Sequence, residues 1–583
     1  MAFAYGPFDR KGKYMLGVHW VDWLIIAVYL VGITGVGVLA IKKVRSATSY
    51  FIGDRKFGKF MMMMFTFCAG THTDQAAIVA AKTYRVGASG IWYEWLWLFC
   101  TPFFWIFAPV FRRMRAVTTA DFFNTRYNRG VSVLYAIMGM LQLTTYIGLL
   151  LKTSGAMITA VTAGAINADK AILATVVVFV IYGFAGGLSA AIFTNLVQGI
   201  MTLILSFMLL PFALPKVGGI AGLWNLLPDK NMLKVIAPTE ITAFYIAVIS
   251  INGLIGWVTQ PNAMAMTSAG KTEMEGRVGV MCGIMFKRIC TIAWTIVGLC
   301  GAGMYLGKTI DGDQIYGLVA HDLLPNIAPG FLGLFIASML AAVMSCCGSL
   351  MITSSALFTK NLYKPLLAPG HTDRHYMWVG RVVAALVVFV GVCFAYGFES
   401  LIHGLEVAWR IQPTMGIAFF MGLLWRRANP KAAWTATLLT FTTMLFTSDL
   451  TMFGVPWNFN AHFADKLPAF MLFNGKLYLP WQMIAYLAVG FVSFIIVALL
   501  TSPTAKEKLD KFYECIRTPI TPNEPEAEPF TLPPGLTPAP RDVLIKHPDW
   551  EIPKPSKVSI VGFLVGWVAV GILIWSFFWI MKP

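Results

Sequence analysis

Long apolar runs separated by short polar stretches make up most of the chain. Each run is close to the ~20 helical residues needed to cross a hydrocarbon core ~30 Å thick, at ~1.5 Å of rise per residue. The pattern therefore predicts fourteen membrane-spanning helices. They are expected at 20–41, 58–81, 90–111, 131–151, 157–184, 189–214, 242–262, 278–306, 329–359, 376–397, 402–425, 431–449, 480–501 and 558–580.

The composition supports a lipid environment. Of 583 residues, 57% are hydrophobic and only 13% are charged, which is more apolar surface than soluble domains bury. The net charge of +17 does not indicate nucleic-acid binding, because the basic residues lie in short loops between apolar runs. We expect contact with the lipid bilayer and none with nucleic acid. The nine cysteines show no spacing typical of a disulfide framework or a metal cluster.

Loop charges predict the orientation of the chain. Segments 42–59 and 112–129, after the first and third runs, contain six and five Lys or Arg residues. The loop between them offers only Lys82 and Arg85. Because loops rich in Lys and Arg stay in the cytoplasm, the N-terminus is expected outside, and fourteen spans return the C-terminus to that side. The prediction is a multi-pass protein of the plasma (inner) membrane with both termini extracytoplasmic.

Three segments carry motifs of one known family, in that family's order. IYGFAGGLSAAIFTNLVQG (181–199) is similar to YxxxGGLxAVxxTDxxQ, and FLGLFIASMLAAVMSCCGSLMITSSALFTKNLYK (331–364) is similar to GLxxAAxxAAxMSSxxSxLxxxSSxxTxDxY. GLLWRRANPKAA (422–433) is similar to GLFWKRaNxxGA. On these residues the chain resembles the sodium:solute symporters. KFYECIRTP (511–519) also resembles the fourteen-span sodium/glucose branch of that family.

The resemblance implies an all-α polytopic membrane protein with a core like that of the leucine transporter, built from two inverted five-helix repeats with extra flanking helices. The expected division is 1–19, an extracytoplasmic tail; 20–57, a first flanking helix and cytoplasmic loop; 58–214, inverted repeat 1; 242–425, inverted repeat 2; 431–501, two flanking helices; 502–557, a cytoplasmic linker; and 558–583, the last transmembrane helix. The proline-rich composition of 502–557 predicts little packed structure there.

Polar and helix-breaking residues interrupt the first helix of each expected repeat. Residues 68–75 (CAGTHTDQ) are too polar for a lipid-facing helix, and Gly253, Gly256 and Pro261 interrupt the run 242–262. Irregular backbone at membrane depth persists only where it lines a cavity. The resemblance implies that solute and ion bind at these breaks, near the bilayer midplane.

The resemblance also implies a sodium site. Its expected ligands are the carbonyl oxygens of Cys68, Thr71 and Ala342 and the side chains of Ser345 and Cys346. The Ser345 hydroxyl suits a hard cation that prefers oxygen, whereas the sulfur of Cys346 is a poor substitute. Asn195 stands where the family has the Asp of its TD pair. No covalent cofactor is expected. Na+ is the favoured coupling ion, and H+ stays an alternative because His72 and Asp74 could relay protons.

Ten residues are expected to contact the solute: His72, Asp74, Gln75, Gln142, Tyr146, Trp257, Gln260, Lys287, Glu406 and Arg410. Gln75 and Lys287 match polar positions of the family's sugar carriers, but Gly256 precedes Trp257 where those carriers have a stacking Tyr. That helix is closer to the proline-carrier version. A structural histidine at position 72 and a Lys287 that snorkels to the interface are alternatives. The tryptophans of the third run, Trp92, Trp95 and Trp97, are typical of lipid or interface packing.

Glu406 and Arg410 stand four residues apart on one predicted helix, so they share a face and can form an ion pair. A charge inside the bilayer costs ~2.5–3.5 kcal/mol on insertion scales, and such charges tend to mark function. One hypothesis is that Arg410 binds a carboxylate of the solute. The alternative is a structural ion pair.

The favoured function is cation-coupled uptake of a small polar organic solute by alternating access, in a monomer or weak homo-oligomer. The second hypothesis is a transporter-derived sensor or regulatory subunit that binds solute without turnover, because the ion-site positions 195 and 346 depart from the family pattern. An enzyme is not expected, since no nucleophile–base triad, metal cluster or phosphate loop occurs in a suitable context.

Overall fold

The computed structural model describes residues 14–41, 57–116, 118–238, 240–448, 451–452, 455–456, 463–521, 524–525 and 528–582. Within these ranges the side chains at 14, 36–41, 178–179, 181–195, 265 and 451–456 fall outside the description. Asn195 and most of the basic segment 42–59 therefore lie outside the described residues.

The described residues are mainly helical. The α-helices, in chain order, are α1 Trp20–Ile41, α2 Lys59–Gly70, α3 Thr73–Val86, α4 Trp92–Trp95, α5 Thr101–Arg113, α6 Thr119–Arg126, α7 Arg129–Val161, α8 Ala168–Phe207, α9 Leu210–Lys216, α10 Gly219–Leu226, α11 Ala243–Trp257, α12 Ala263–Ser268, α13 Glu273–Met304, α14 Ile315–Leu323, α15 Phe331–Ala356, α16 Asp373–Gly397, α17 Leu401–Ile411, α18 Gly416–Leu424, α19 Pro430–Thr447, α20 Leu479–Leu500, α21 Lys506–Arg517 and α22 Lys557–Ile580.

Short elements complete the description. Tight helical turns occur at Ala88–Ile91, Lys230–Leu233, Gly312–Gln314, Leu324–Asn326, Gln412–Met415, Ala464–Lys466 and Ala469–Met471, and a π-helix at Leu357–Leu367 extends α15. Three two-residue hairpins pair β1 Tyr14–Met15 with β2 Val18–His19, β3 Thr451–Met452 with β4 Val455–Pro456, and β5 Leu472–Phe473 with β6 Lys476–Leu477, all antiparallel.

Eight of the described helical stretches are long and apolar enough to cross a membrane. They are Arg129–Val161, Leu196–Lys216, Glu273–Met304, Phe331–Leu367, Asp373–Gly397, Leu401–Leu424, Leu479–Leu500 and Lys557–Ile580. Shorter apolar helices cover Trp20–Gly35, Lys59–Gly70 and Ala243–Trp257. The α8 run continues across the predicted boundary between 184 and 189. The exact count of fourteen spans stays a prediction.

Two predicted spans are broken at their middle. The second span divides into α2 and α3, with extended backbone at Thr71 and His72. The seventh divides into α11 and α12, separated by residues 258–262. α2 and α3 pack against α13, and α15 packs against α8 and α7. The breaks are thus enclosed by protein, which is the condition for irregular backbone at membrane depth.

Among the described residues, several contacts between polar connections fall into two groups. On one side, Phe57 accepts a backbone hydrogen bond from Lys271, Arg113 pairs with Glu273, and Arg426 pairs with Asp510. On the other, Asp313 contacts Arg85 and Leu401, Tyr478 donates to the carbonyl of Glu240, and Trp224 donates to the carbonyl of Met581. The first group joins predicted odd-numbered loops and the second joins even-numbered ones. Alternating crossings require this division.

The segment 502–557 is packed, so the prediction of little packed structure there is wrong. It contains the amphipathic helix α21, whose residues Phe512, Tyr513 and Cys515 are buried. Phe530 is also buried and donates its amide to the carbonyl of Met114. Proline-rich composition predicts an extended backbone, but here the apolar side chains between the prolines have a neighbouring surface on which to pack.

Candidate functional site

A cavity of about 70 Å³ opens at the two helix breaks. Eight of the ten residues expected to contact solute line it: His72, Asp74, Gln75, Gln142, Tyr146, Trp257, Gln260 and Lys287. The other two, Glu406 and Arg410, are not among its lining residues, although Leu405 of the same helix is. The cavity is therefore walled by both breaks together with α7 and α13.

The Gln75 side chain forms hydrogen bonds with backbone groups at the break between α2 and α3. Its Oε1 accepts the backbone N–H of His72 at 3.0 Å, and its Nε2 donates to the carbonyl of Gly70 at 3.3 Å. Backbone groups freed by the break need partners because water is scarce at this depth. A glutamine at the third position of α3 supplies them, so the Gln75 amide caps the helix as well as lining the cavity.

His72 and Asp74 lie next to each other at the start of α3. His72 Nε2 lies 3.1 Å from the carbonyl oxygen of Ala69, so this nitrogen carries the proton and donates. Nδ1 forms no hydrogen bond. Its distance to Asp74 Oδ1 is 3.7 Å, longer than a hydrogen bond. Asp74 is 1% exposed, and its carboxylate forms no hydrogen bond with another side chain.

The Glu94 carboxylate pairs with two cationic side chains that line the cavity, Lys287 and Arg288. Its Oε2 lies 2.9 Å from Lys287 Nζ and 3.3 Å from Arg288 Nη1, and the backbone carbonyl of Glu94 accepts from Arg288 at 2.8 Å. All three residues are at most 4% exposed. Snorkelling of Lys287 to the interface is therefore wrong, because an internal carboxylate neutralises the ammonium instead.

Aromatic rings cover much of the rest of the wall. Trp257 stacks on Phe104 with ring centroids 3.9 Å apart, and the Tyr146 ring stands edge-on to His72 at 6.4 Å. Trp97 also lines the cavity, and Lys287 Nζ lies 5.7 Å from the centre of its ring. Trp92, Trp95 and Trp97 are all buried, so their expected lipid or interface packing is wrong. They fill the protein interior beside the cavity.

Three of the expected ion ligands, Cys68, Thr71 and Cys346, are in contact where α15 passes the first break. Cys346 Sγ lies 3.6 Å from the carbonyl oxygen of Cys68 and 3.7 Å from that of Thr71, and it donates to both. Thr73 Oγ1 donates to the Met339 carbonyl at 3.1 Å, which adds a second contact between α3 and α15. Ala342 and Ser345 are buried on the same stretch of α15. The geometry brings two carbonyls and the Cys346 thiol into direct contact.

Glu406 and Arg410 form a separate cluster outside the cavity lining. Arg410 Nη2 lies 3.5 Å from Glu406 Oε2, and Tyr93 donates to Glu406 Oε1 at 2.7 Å. Arg410 is 5% exposed, and its Nε and Nη1 have no hydrogen-bond partner. The expected ion pair is present, together with two unused donors.

Sequence reasoning missed Glu94, Trp97 and Arg288 as cavity residues. Glu94 stands in a run of tryptophans that has the composition of an interface, and Arg288 adjoins Lys287 in what resembles the end of a span. The available signal was charge balance. A buried Lys–Arg pair needs an acidic partner, and Glu94 is the acidic residue within the third predicted span.

Known proteins resemble this chain over most of its length. The model of the sodium:solute symporter family matches residues 50–440. The sodium/proline symporter of Escherichia coli (strain K12) is 24% identical over 446 residues, covering 72% of this chain and 86% of that protein. The sodium/pantothenate symporter of Haemophilus influenzae is 24% identical over 473 residues, covering 75% and 92%.

Similarity extends beyond these two relatives. Sodium/myo-inositol cotransporter 2 of Bos taurus is 24% identical over 575 residues, covering 88% of this chain and 82% of that protein. Among solved structures, a Na+-coupled sialic acid symporter in a substrate-bound outward-open state superposes with a TM-score of 0.67 at 18% identity. That match covers 83% of this chain and 99% of that one, and it shows a shared fold.

Proposed function

Because the chain belongs to the sodium:solute symporter family, we propose that it carries a small polar organic solute across the membrane together with Na+, by alternating access. Family membership makes it a multi-pass secondary transporter, not an enzyme. Moving one positive charge down ~100 mV is worth ~2.3 kcal/mol, which supports about fifty-fold accumulation of solute.

One observation carries the proposal. The cavity opens at two broken helices, and the ion-site carbonyls of Cys68 and Thr71 lie at the first of these breaks. An ion at those carbonyls would join α15 to the break that also forms the solute's wall. Binding of one cargo would then favour the conformation that binds the other, which is the thermodynamic basis of coupling.

Na+ is proposed to bind the carbonyl oxygens of Cys68, Thr71 and Ala342 and the hydroxyl of Ser345, with Cys346 beside them. Hard cations favour this oxygen set. The relatives' coupling to sodium, as their names state, supports it. Coupling to H+ through His72 and Asp74 is the alternative, and the cation that drives uptake distinguishes the two.

We also propose the repeat boundaries, the membrane location and the oligomeric state. Inverted repeats at 58–214 and 242–425 are supported by a broken helix at the start of each. A plasma-membrane location with extracytoplasmic termini is supported by loop charge. We further propose a monomer or weak homo-oligomer.

The proposed solute carries a carboxylate that Arg410 attracts. The support is the buried pair of unused donors, Nε and Nη1 of Arg410. Uptake of a carboxylate solute by Arg410→Ala, compared with Arg410→Lys, tests this step. Unchanged affinity for the solute in Arg410→Ala would remove the carboxylate proposal and leave Arg410 as a structural partner of Glu406.

The main experiment is uptake by proteoliposomes under imposed gradients of Na+, H+ or neither. Radiolabelled amino acids, monocarboxylates, sugars and nucleosides are the probes. Accumulation of one probe driven by the Na+ gradient supports the proposal. Accumulation driven only by the H+ gradient would show that H+, and not Na+, is the coupling ion. A Na+ ionophore added during uptake is the control and should release the accumulated probe.

A solute sensor without turnover is the second candidate function. The Cys346 thiol already donates to two carbonyls expected to hold the ion, which would stabilise the break without an ion. Tight binding of a probe with no net flux under any gradient would favour this candidate.

A further inference from the structure

The N-terminal end of α22 meets a buried arginine of α13 outside the solute cavity. We propose that this end of α22 binds the phosphodiester group of an anionic phospholipid, held by the Arg277 guanidinium and the first turn of the helix. Neither Arg277 nor any residue of α22 lines the solute cavity. The inference therefore does not depend on the proposed function, and it holds or fails whether or not the chain carries a solute.

Arg277 is a buried cation with an unused donor. Its side chain is on a residue only 6% exposed, and its Nη2 donates to Ser559 Oγ at 3.0 Å. The guanidinium carbon lies 5.5 Å from the centre of the Trp105 ring. Among the described residues, Nη1 has no hydrogen-bond partner. Ser559 is the third residue of α22, so the guanidinium reaches the first turn of that helix with one donor left for a further acceptor.

The charges around Arg277 leave an excess of one positive charge. Within the described part of the chain, the charged groups that act on Arg277 are Glu273, one turn earlier on α13, and Arg113. Arg113 contacts both Glu273 carboxylate oxygens, at 2.7 and 2.9 Å, and the Ile520 amide donates to the same carboxylate at 3.1 Å. One carboxylate thus stands between two guanidinium groups and pairs with Arg113, so Arg277 can accept a second anion.

The first turn of α22 adds to this positive charge. It contains Lys557, which is exposed, and no acidic residue. The backbone N–H groups and the dipole at the start of a helix both favour an anion, yet no side chain of this turn supplies one. The buried carboxylate of Glu551, six residues before Lys557, is already approached by three arginines. A phosphodiester would accept from Nη1 of Arg277 and neutralise the start of the helix.

The apolar surface of α22 indicates a lipid as the source of the phosphodiester. α22 packs on α5 and α13, and a Cβ added at Gly562 would lie 2.1 Å from the Trp105 ring, so this glycine face is in close contact. Other faces point outward, with Val561, Val565 and Val568 57–62% exposed. Exposed apolar side chains on a membrane-spanning helix contact acyl chains. A phospholipid therefore satisfies the charged end and the apolar surface together, whereas inorganic phosphate satisfies only the charged end.

Native mass spectrometry of the purified full-length chain tests the proposal, with phosphatidylglycerol and phosphatidylcholine of the same acyl chains. The first phosphatidylglycerol should bind about fivefold or more tightly than phosphatidylcholine, because choline places a positive charge beside the site. Arg277→Met should weaken phosphatidylglycerol binding about tenfold, the effect of losing a hydrogen bond between charged groups. Arg381→Met is the matched control. Arg381 is an exposed arginine beside the Trp378 ring on α16, and its loss should change the affinity less than about twofold.

A second pair of variants decides the proposal even where Arg277→Met fails to fold. Lys557→Met and Lys582→Met remove exposed lysines from opposite ends of α22. The first should weaken phosphatidylglycerol binding about threefold to fivefold, and the second should leave it unchanged. Equal affinities for the two lipids overturn the proposal, as do equal effects within either pair of variants. Inorganic phosphate that displaces the lipid at equal concentration also overturns it, because the site would then bind a free anion.

Discussion

At residue scale, Cys346 places a sulfur atom among the oxygen ligands expected at the sodium site. Its sulfur lies 3.6–3.7 Å from two carbonyls that would otherwise face an ion. Cys346→Ser replaces a soft, larger atom by a hydroxyl oxygen, which a hard cation prefers. We expect the Na+ concentration for half-maximal uptake to fall about five- to tenfold, equivalent to ~1 kcal/mol.

The matched control is Cys347→Ser. Cys347 is also buried on α15, but as the next residue along the helix it faces about 100° away from Cys346. Its Na+ dependence should stay that of the wild type. Equal Na+ dependence in both variants would show that position 346 does not contact the ion.

Glu94 supports a second prediction at this scale. Glu94→Gln leaves Lys287 and Arg288 buried without their shared carboxylate, which should cost ~3–5 kcal/mol of stability. Thermal unfolding in detergent measures the loss. Glu94→Gln combined with Lys287→Met should recover part of it, because one stranded charge is gone.

Glu240→Gln is the comparison for that variant. Glu240 pairs with Lys82 but is about a quarter exposed, so water screens the loss and the expected cost is ~1 kcal/mol or less. An equal loss in Glu94→Gln and Glu240→Gln would contradict the view that Glu94 is the internal counter-ion.

The cavity residues that could be predicted from the sequence are polar residues within apolar runs. His72, Asp74 and Lys287 are conspicuous in a membrane segment, and all three line the cavity. The partner of each group was not predictable. Gln75 satisfies local backbone and Glu94 neutralises Lys287, and both facts depend on distances that spacing along the chain does not supply.

At element scale, glycines let α13 approach α2 closely. A Cβ added at Gly283 would lie 2.7 Å from the Met63 carbonyl oxygen and 3.0 Å from the Phe67 nitrogen. Backbone cannot yield as a flexible side chain does, so Gly283→Ala should push α2 away from α13 at a cost of ~1–3 kcal/mol. Thermal unfolding and uptake rate should both decline.

Gly571→Ala is the control for that helix contact. Gly571 lies on α22, and a Cβ there meets nothing within 4 Å. The substitution should leave stability and uptake unchanged, or raise stability slightly through helix propensity. If Gly283→Ala left the unfolding temperature and the uptake rate unchanged, α2 and α13 would not be tightly packed at this contact.

The sequence predicted the two helix breaks but not the helix α21. The breaks followed from polar residues at 68–75 and from Gly256 and Pro261, because those residues disfavour a lipid-exposed helix wherever they occur. α21 was not predicted, since an amphipathic helix of twelve residues is stable only when its apolar face has a partner. That partner comes from distant loops.

At the scale of the whole molecule, the segment after α20 fastens separate loops together. Three arginines, Arg426, Arg517 and Arg541, approach the buried Glu551 carboxylate at 2.7, 3.7 and 3.0 Å. Arg115 pairs with Glu524 at 2.5 Å, and Lys508 donates to the Tyr127 carbonyl. These contacts join parts of the chain that move relative to one another if the two repeats rock during alternating access.

Cys515 reports whether this segment is docked. Its side chain is 1% exposed, and burial raises the pKa of its thiol, so little reactive thiolate is available. Glu551→Gln removes the carboxylate shared by the three arginines, and we expect maleimide labelling of Cys515 to accelerate at least about tenfold as the segment loosens. Cys282→Ser and Cys393→Ser remove the two exposed cysteines from the background.

The same labelling tests the predicted orientation. A membrane-impermeant maleimide should reach Cys515 in inside-out vesicles and not in right-side-out ones, because loops rich in Lys and Arg are expected in the cytoplasm. Glu528→Gln, an exposed carboxylate of the same segment, is the control and should label as slowly as the wild type. Labelling from the outside alone would reverse the topology, and equal rates in Glu551→Gln and Glu528→Gln would show that the arginine cluster does not hold the segment in place.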